Sequence, residues 1–208
     1  MWKLIFTVVY SILIVSNVFS QITGGITSSF NTSGNNSDIS RYMKSDNSGN
    51  MYVAGNTVIS ETNRDYLLIK YNSEGKYLWS RTYSGPKNGN DTIRDLYVDV
   101  NGNAYVTGSS QDAKKNYNAV TVKYDANGNE IWAARYSEGL HTSIHGIRII
   151  VDENSNVFVA GTFISNDVHD CILLKYDANG NLLWKRTYNG TGNGYDDATA
   201  LGISPDMN

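Results

Sequence analysis

The chain has 208 residues, with 17 lysines and arginines against 20 aspartates and glutamates, a net charge of -3 and a pI near 5.5. This balance excludes the concentrated positive surface of a nucleic-acid-binding protein, and the single cysteine excludes a disulfide framework and a multi-cysteine metal site. Two prolines, 19 glycines and 15 tyrosines are typical of a folded, turn-rich β protein.

Residues 1–20 have the pattern of a secretory signal peptide. Lys3 supplies the positive region, residues 4–18 are almost wholly apolar, and Ser20 ends a small-residue cleavage pattern. An uncleaved membrane anchor is the alternative, but this apolar run is shorter than the roughly 20 residues that cross a bilayer. We predict cleavage between Ser20 and Gln21. The mature protein is then secreted, at the cell surface or periplasmic, with no transmembrane segment.

A repeat of 52 or 53 residues runs through the rest of the chain. Its markers are a glycine that ends a Val-Ala/Thr-Gly run, a Lys-Tyr pair and a tryptophan. The glycines are Gly55, Gly108 and Gly161, the pairs begin at Lys70, Lys123 and Lys175, and the tryptophans are Trp79, Trp132 and Trp184. Many markers in one register indicate a repeat architecture.

Each unit contains four short β segments bounded by Gly, Asn and Asp. In the second unit these are residues 93–99, 104–109, 117–125 and 130–136. The dipeptides Asn101-Gly102 and Asn127-Gly128 suit tight hairpins. Apolar runs at 67–69 and 172–174 do not alternate with polar residues, which favours strands buried on both faces. The pattern predicts an all-β protein built from four-stranded antiparallel β-propeller blades, in an incomplete ring.

The units VDVNGNAYVTGSS…VTVKYDANGNEIWAARY and VDENSNVFVAGTF…ILLKYDANGNLLWKRTYNG resemble the SBBP-type β-propeller repeat of bacterial secreted and surface proteins. The resemblance covers about residues 25–208. It implies closed rings of about seven blades and brings no catalytic motif. Ser155 departs from the pattern because it stands where the turn normally has glycine.

The repeat also predicts the organisation of the chain. We expect a linker and an N-terminal closing strand at 21–38, blades at 39–83, 92–136 and 144–188, and the start of a fourth blade at 198–208. Seven blades need about twice this length, so we expect a piece of a longer protein. The alternative is that three blades function by pairing with another chain.

The Asp- and Asn-bounded turns resemble fragments of calcium loops. The positions are Asp46, Asn50, Asp99, Asn103, Asp125, Asn129, Asp177 and Asn181. A calcium loop also needs a bidentate carboxylate and six to eight oxygens, whereas here the chain returns directly to a strand. Capping of the turn backbone is the favoured interpretation, with calcium as the alternative.

His141 and His145 are four residues apart near Glu138 and Ser143, a composition that could bind zinc on a helix. Because they fall in a loop between units, solvated loop histidines are the favoured interpretation. His169 is isolated at the entry to a strand.

Asp91 and the pair Asp196-Asp197 share one loop position, with Asp38 in the first unit. Paired carboxylates can act in acid–base catalysis, but the repetition favours a role in ending the loop and starting the next strand. Cys171 is interpreted as a small apolar filler of a strand.

The tryptophan of each unit is interpreted as packing between neighbouring blades, and we expect all three to be buried. A sugar-stacking set is the alternative.

The uniform turns of one face contrast with variable loops at 57–64, 110–116 and 162–169 on the other. We therefore predict an exported, non-catalytic module that binds a protein or carbohydrate ligand on the variable face. It is predicted not to be an enzyme and to have no cofactor, metal or catalytic residues. The alternatives are the propeller part of a secreted hydrolase with catalytic residues beyond residue 208, and a purely structural surface or adhesion repeat.

Overall fold

The computed structural model describes residues 37–61, 63–86, 89–139, 141–192 and 194–204. Within these ranges the chain is all-β, with twelve strands in three four-stranded antiparallel sheets that do not close a ring. The predicted fold class is confirmed. The predicted signal peptide and closing strand lie outside the described residues. The described part of the chain contains no helix long and apolar enough to cross a membrane.

Each sheet is a run of four consecutive strands, which we label a, b, c and d in chain order. The first sheet is β1 (Ser37–Ser45), β2 (Met51–Ser60), β3 (Asn63–Tyr71) and β4 (Tyr77–Tyr83). The second is β5 (Asp91–Val98), β6 (Ala104–Gln111), β7 (Tyr117–Tyr124) and β8 (Glu130–Tyr136). The third is β9 (Thr142–Val151), β10 (Val157–Ser165), β11 (Val168–Tyr176) and β12 (Leu182–Tyr188).

A glycine on strand b marks an irregularity in each sheet. The pairing of β9 with β10 shifts register between Ala160 and Gly161, and a side chain at Gly161 would place its Cβ 2.0 Å from the carbonyl oxygen of His145. Only a residue without a Cβ fits so close to the neighbouring backbone. The recurring glycine therefore has a steric cause, and it locates the bulge on strand a.

Two cores lie between adjacent sheets. Tyr52, Tyr66 and Leu68 of the first sheet belong to one buried cluster with Ile93 and Val106 of the second. The matching cluster between the second and third sheets is formed by residues that include Tyr105, Ala119, Ile144, Val157, Val159, Ile172 and Leu174. Strands b and c of the second sheet are covered on both faces, so consecutive residues along them are buried, polar side chains such as Thr107 and Thr121 included.

The structure differs from the predicted elements in two places. Strands b and c run further than expected, so the connection between β10 and β11 narrows to Asn166 and Asp167, both with positive φ (48° and 61°). Such a pair forms a two-residue hairpin turn. Residues 198–204, predicted as a first strand, form none, since no described strand lies beside them to pair with.

Candidate functional site

The two ends of the sheets have different connections. The turn end carries the a–b and c–d connections at 46–50, 72–76, 99–103, 125–129, 152–156 and 177–181. The loop end carries the b–c connections, among them 112–116 and 166–167, and the described parts of the d–a connections at 84–90, 137–141 and 189–197.

The turn end is built from one hydrogen-bonded unit. In the turn 125–129, the Asp125 carboxylate accepts from the backbone amides of Asn127 and Asn129 at 2.8 Å and from the Asn129 side chain at 2.7 Å. The bond from the Asn129 side chain is the largest cause of a lowered Asp125 pKa. The amide of Gly128 donates to the carbonyl of Asp125, and the glycine has a φ of 81°. These carboxylates therefore close their own turns.

The same bonding recurs around Asp46, Asp99, Asp152 and Asp177. No group of three or more His, Cys, Asp or Glu side chains among the described residues is placed to hold a metal ion. The structure therefore supports the predicted role of these aspartates in capping the backbone amides of their own turns.

A tryptophan and two cations of the first sheet hold a turn of the second. Trp79 Nε1 and Lys70 Nζ donate to the carbonyl oxygen of Ala126 at 3.2 and 3.0 Å, and Arg81 Nε donates to the carbonyl of Gly128. The ring of Trp79 lies against Gly128 so closely that a Cβ there would be 2.8 Å from it. We call this Lys–Trp–Arg set the socket.

The predicted packing of tryptophan between neighbouring sheets is confirmed at two positions. Trp132 Nε1 donates to the carbonyl of Ala178 at 3.0 Å, and its ring lies against Gly180. The expected burial is confirmed only for Trp79, which is 8% exposed. Trp132 and Trp184 are half-buried, and no described turn lies against Trp184.

A buried aspartate organises the loop end between the first and second sheets. The Asp91 side chain is fully buried and accepts from the amides of Gly85 and Gln111. Burial raises its pKa, and the bond to Ser110 is the largest opposing effect. Asp196 repeats the arrangement by accepting from the Gly190 amide at 2.6 Å. The predicted role in ending the loop and starting the next strand is therefore supported at Asp91, the first residue of β5, whereas at Asp196 only the contact within the loop is seen.

A second buried carboxylate, which the sequence did not single out, lies near Asp91. Asp65 is 9% exposed, and burial raises its pKa, with the nearby charge of Asp91 adding to the effect. The Asn56 side-chain amide donates to the backbone carbonyls of both aspartates, at 3.1 and 2.7 Å. This asparagine joins two loop-end segments of different sheets. Asn56 directly follows the recurring glycine Gly55, but the sequence does not show its two partners, which lie on β3 and β5.

The histidines are placed differently from the predicted loop. His141 is exposed, with a φ of 62°, but His145 lies within β9, is half-buried and packs on the ring of Tyr117 at 5.1 Å. Burial is the largest cause that lowers the pKa of His145 to about 4, with nearby Arg94 and His169 adding to it. The interpretation of His145 as a solvated loop residue is therefore wrong, because β9 carries its side chain against the Tyr117 ring of the neighbouring sheet.

The four residues of the zinc alternative make other contacts. The Glu138 carboxylate accepts from the Tyr136 hydroxyl and the Lys185 ammonium, and Ser143 Oγ accepts from the Tyr117 amide at 3.2 Å. His169, predicted to be isolated, instead lies within 4.4 Å of the Tyr195 ring and 3.9 Å of Asp197.

Asp197 accepts from Thr162 Oγ1 at 2.7 Å, which ties the segment after β12 to strand b of the third sheet. Cys171 is half-buried on β11. Burial raises the pKa of its thiol, and the neighbouring aspartates Asp196, Asp197 and Asp170 raise it further. The thiol is accordingly held in its unreactive protonated form near neutral pH.

Comparisons with known proteins agree with this architecture. Residues 79–113 match the SBBP β-propeller repeat family. An uncharacterized WD repeat-containing protein of Acanthamoeba polyphaga mimivirus is 32% identical over 131 residues, covering 56% of this chain and 9% of that protein. The chain thus spans less than a tenth of the length of this relative.

A crystal structure of the eukaryotic initiation factor has a TM-score of 0.46 and 12% identity, covering 79% of this chain and 36% of that one. The SBBP match begins at Trp79 on β4 and runs through β5 and β6, so it includes one socket tryptophan and the bulge glycine of the second sheet. The predicted resemblance is confirmed by the match of residues 79–113 to the SBBP β-propeller repeat.

Proposed function

We propose that this chain is an exported, non-catalytic interaction module whose loop end binds a protein or carbohydrate ligand. One observation carries the proposal: the turn end repeats a single hydrogen-bonded unit, whereas the loop end differs from sheet to sheet. A rigid frame with one variable end is the usual way in which binding surfaces are built.

The b–c connections supply much of this variation. The second sheet has a five-residue turn at 112–116, in which the Asp112 carboxylate accepts from the Lys114 and Asn116 amides at 2.8 and 3.0 Å. The third sheet has only Asn166 and Asp167 at the same place. The second sheet therefore extends a pair of exposed lysines, at 114 and 115, beyond its neighbour.

The titratable groups of the loop end support binding rather than catalysis. Asp91 and Asp196 hold backbone amides, and Asp197 holds a threonine hydroxyl. Each carboxylate thus has a structural partner that catalysis would have to displace. The similarity of residues 79–113 to the SBBP β-propeller repeat, and of the chain to a WD repeat-containing protein, is in keeping with an interaction module.

The test is a loop replacement with a matched turn replacement. In one variant, residues 112–116 are replaced by Asn-Asp, the two-residue connection of the third sheet. In the control, Val100→Glu and Gly102→Ser convert the turn 99–103 to the sequence of 152–156. An oligosaccharide array and a phage-displayed peptide library serve as probes. We expect binders that the loop replacement loses and the turn replacement keeps; binding that survives loop replacement, or no binder to the native chain, contradicts the proposal.

Export is tested separately by N-terminal sequencing of the protein recovered outside the cytoplasm. The motivating pattern is Lys3 followed by the apolar residues 4–18. The expected first residue is Gln21. A mature chain that still begins at Met1 contradicts the proposed signal peptide.

A further inference from the structure

Two aspartates lie side by side where the first sheet joins the second. Arg64 of β3 and Asn90 of the following loop form a parallel bridge, so the next residues of the two segments, Asp65 and Asp91, are neighbours on one face. Adjacent strands are about 4.8 Å apart. Asp91 is fully buried and Asp65 is 9% exposed, so two carboxylates share a small volume that solvent scarcely reaches. We call them the first acid pair.

One oxygen of this pair lacks a hydrogen-bond donor. The Ser84 side chain bonds to the Asp65 carboxylate, but Asp65 Oδ1 is buried and has no partner among the described residues. Asn63, two residues earlier on the same face of β3, also has a buried Oδ1 without a partner there. Buried oxygens are almost always hydrogen-bonded, and a buried carboxylate is costly unless its charge is compensated. A cation between the two aspartates meets both requirements.

The same arrangement recurs after the third sheet. His169 and Tyr195 form a matching parallel bridge, which places Asp170 of β11 beside Asp196. Asp170 Oδ1 is again buried without a partner in the described part of the chain. The Gly190 amide donates to Asp196 at 2.6 Å, as the equivalent glycine does in the first acid pair. We call Asp170 and Asp196 the second acid pair. The missing donor is thus a repeated feature of this register position.

The junction between the second and third sheets has neither carboxylate. Asn118 lies opposite strand b in the register of Asp65 and Asp170, and it is buried. Ile144, also buried, follows the tryptophan of its unit at the same spacing as Asp91. Both acids are therefore present together at two junctions and replaced together by neutral residues at the third. An aspartate that only ended a loop would not need a second acid on strand c.

The donor atoms favour calcium among the common cations. All of them are carboxylate or amide oxygens, which suit a hard cation rather than zinc or copper. Ca²⁺ tolerates irregular coordination and binds oxygen at about 2.3–2.6 Å, whereas Mg²⁺ requires a near-ideal octahedron and retains several waters. The calcium–oxygen distance is shorter than most hydrogen bonds to water. A buried oxygen that water cannot reach can therefore still contact a bare calcium ion.

We propose that each acid pair binds one calcium ion between its two carboxylates. At the first acid pair the Asn63 side chain supplies a further neutral oxygen. The ion ties strand c of one sheet to the d–a connection that follows it, so it fixes the position of that connection at the loop end. Calcium binding is measured with no other ligand present, so its failure and the failure of loop-end binding are distinguishable.

The test is equilibrium dialysis of the chelator-treated full chain against radioactive calcium chloride near neutral pH. The native protein is expected to bind two ions with dissociation constants of about 10⁻⁴–10⁻³ M, and magnesium at least about tenfold more weakly. Asp65→Asn and Asp170→Asn, which copy Asn118, each reduce the uptake to one ion, and the double variant binds none. Asp125→Asn is the matched control, because it removes the same charge from a turn position where the first sheet has Asn72, and it keeps both ions.

Three outcomes overturn the proposal. The first is a native chain that takes up no calcium at free concentrations of about 10 mM, ten times the weakest expected dissociation constant. The second is uptake that the double variant, shown to be folded by circular dichroism, leaves unchanged. The third is loss of the ions in Asp125→Asn, which would place them in the turns. Calcium is also expected to raise the urea midpoint of the native chain and of the control but not that of the double variant.

Discussion

The three tryptophans offer a test of what the socket contributes to stability, since equivalent residues differ in how far the next turn covers them. Trp79 is 8% exposed and donates to Ala126, while Trp132 is half-buried and donates to Ala178. Trp184 is half-buried, and none of the turns in the described ranges lies against it. Replacement by alanine is therefore expected to destabilise the protein in the order Trp79, then Trp132, then Trp184.

The magnitude follows from the loss of buried area and the cavity that remains. A buried Trp→Ala change costs about 3–5 kcal/mol, and we expect Trp79→Ala in that range. The lost hydrogen bond contributes at most about 1 kcal/mol of it, because Lys70 still donates to the carbonyl of Ala126. Trp79→Phe, which keeps an aromatic ring but not the donor, is accordingly expected to cost about 1–2 kcal/mol. Trp184→Ala is expected to cost about 1 kcal/mol.

The assay is urea unfolding followed by far-ultraviolet circular dichroism, because removing a tryptophan would alter a fluorescence signal directly. Protein is kept dilute so that association between copies does not contribute to stability. Equal losses at the three positions, or the largest loss at Trp184, would refute the reasoning that the covering turn sets the contribution.

Three further changes test the backbone and the buried histidine. Ser155→Gly is expected to raise stability by about 0.5–1 kcal/mol in urea unfolding, because Ser155 has a φ of 62°; a loss would show that the serine is not strained. Gly161→Ala is expected to cost several kcal/mol in the same assay, since its Cβ would be 2.0 Å from a backbone oxygen; a near-neutral change would contradict the close approach. Burial lowers the pKa of His145 from 6.5, its value in the unfolded chain, to about 4 in the folded protein. Between these pH values the folded state binds fewer protons than the unfolded state, so stability is expected to fall by up to about 3 kcal/mol as the pH is lowered from 6.5 to 4. His145→Phe should remove that part of the pH profile and His141→Gln should not; a profile identical in both variants would exclude His145 as its source.

Much of the fold could be predicted because its signals are local. The five-residue turn needs an Asp or Asn that accepts two backbone amides and a residue that adopts positive φ, and both are visible in DANGN. The bulge glycine and the socket tryptophan recur with the period, so the sequence indicated their importance before any contact was known. Even Ser155, which departs from the repeat pattern, has the left-handed backbone of the glycines it replaces.

The site depended on contacts that no single segment contains. The low pKa of His145 requires burial by Tyr117 and the charge of Arg94, which lie on other strands of the neighbouring sheet. The raised pKa of Asp65 comes first from burial and then from the nearby charge of Asp91, a residue of the neighbouring sheet. The socket could be predicted in part. Its Lys, Trp and Arg recur in register in the first and third units, but only the structure shows that in the first sheet they bind a backbone turn.

The similarity of the hairpins has a consequence for how the chain assembles. Residues 172–188 repeat the pattern of residues 67–83 closely enough that a strand d could add to the wrong unit and still complete a plausible sheet. Misassembly between repeats is a characteristic failure of such chains. The contacts that differ between units counter it: Ile149 donates its amide to Asp95, and Glu138 pairs with Lys185. Because these two contacts do not recur with the repeat, they form only between the correct pair of sheets and so favour the native order of packing.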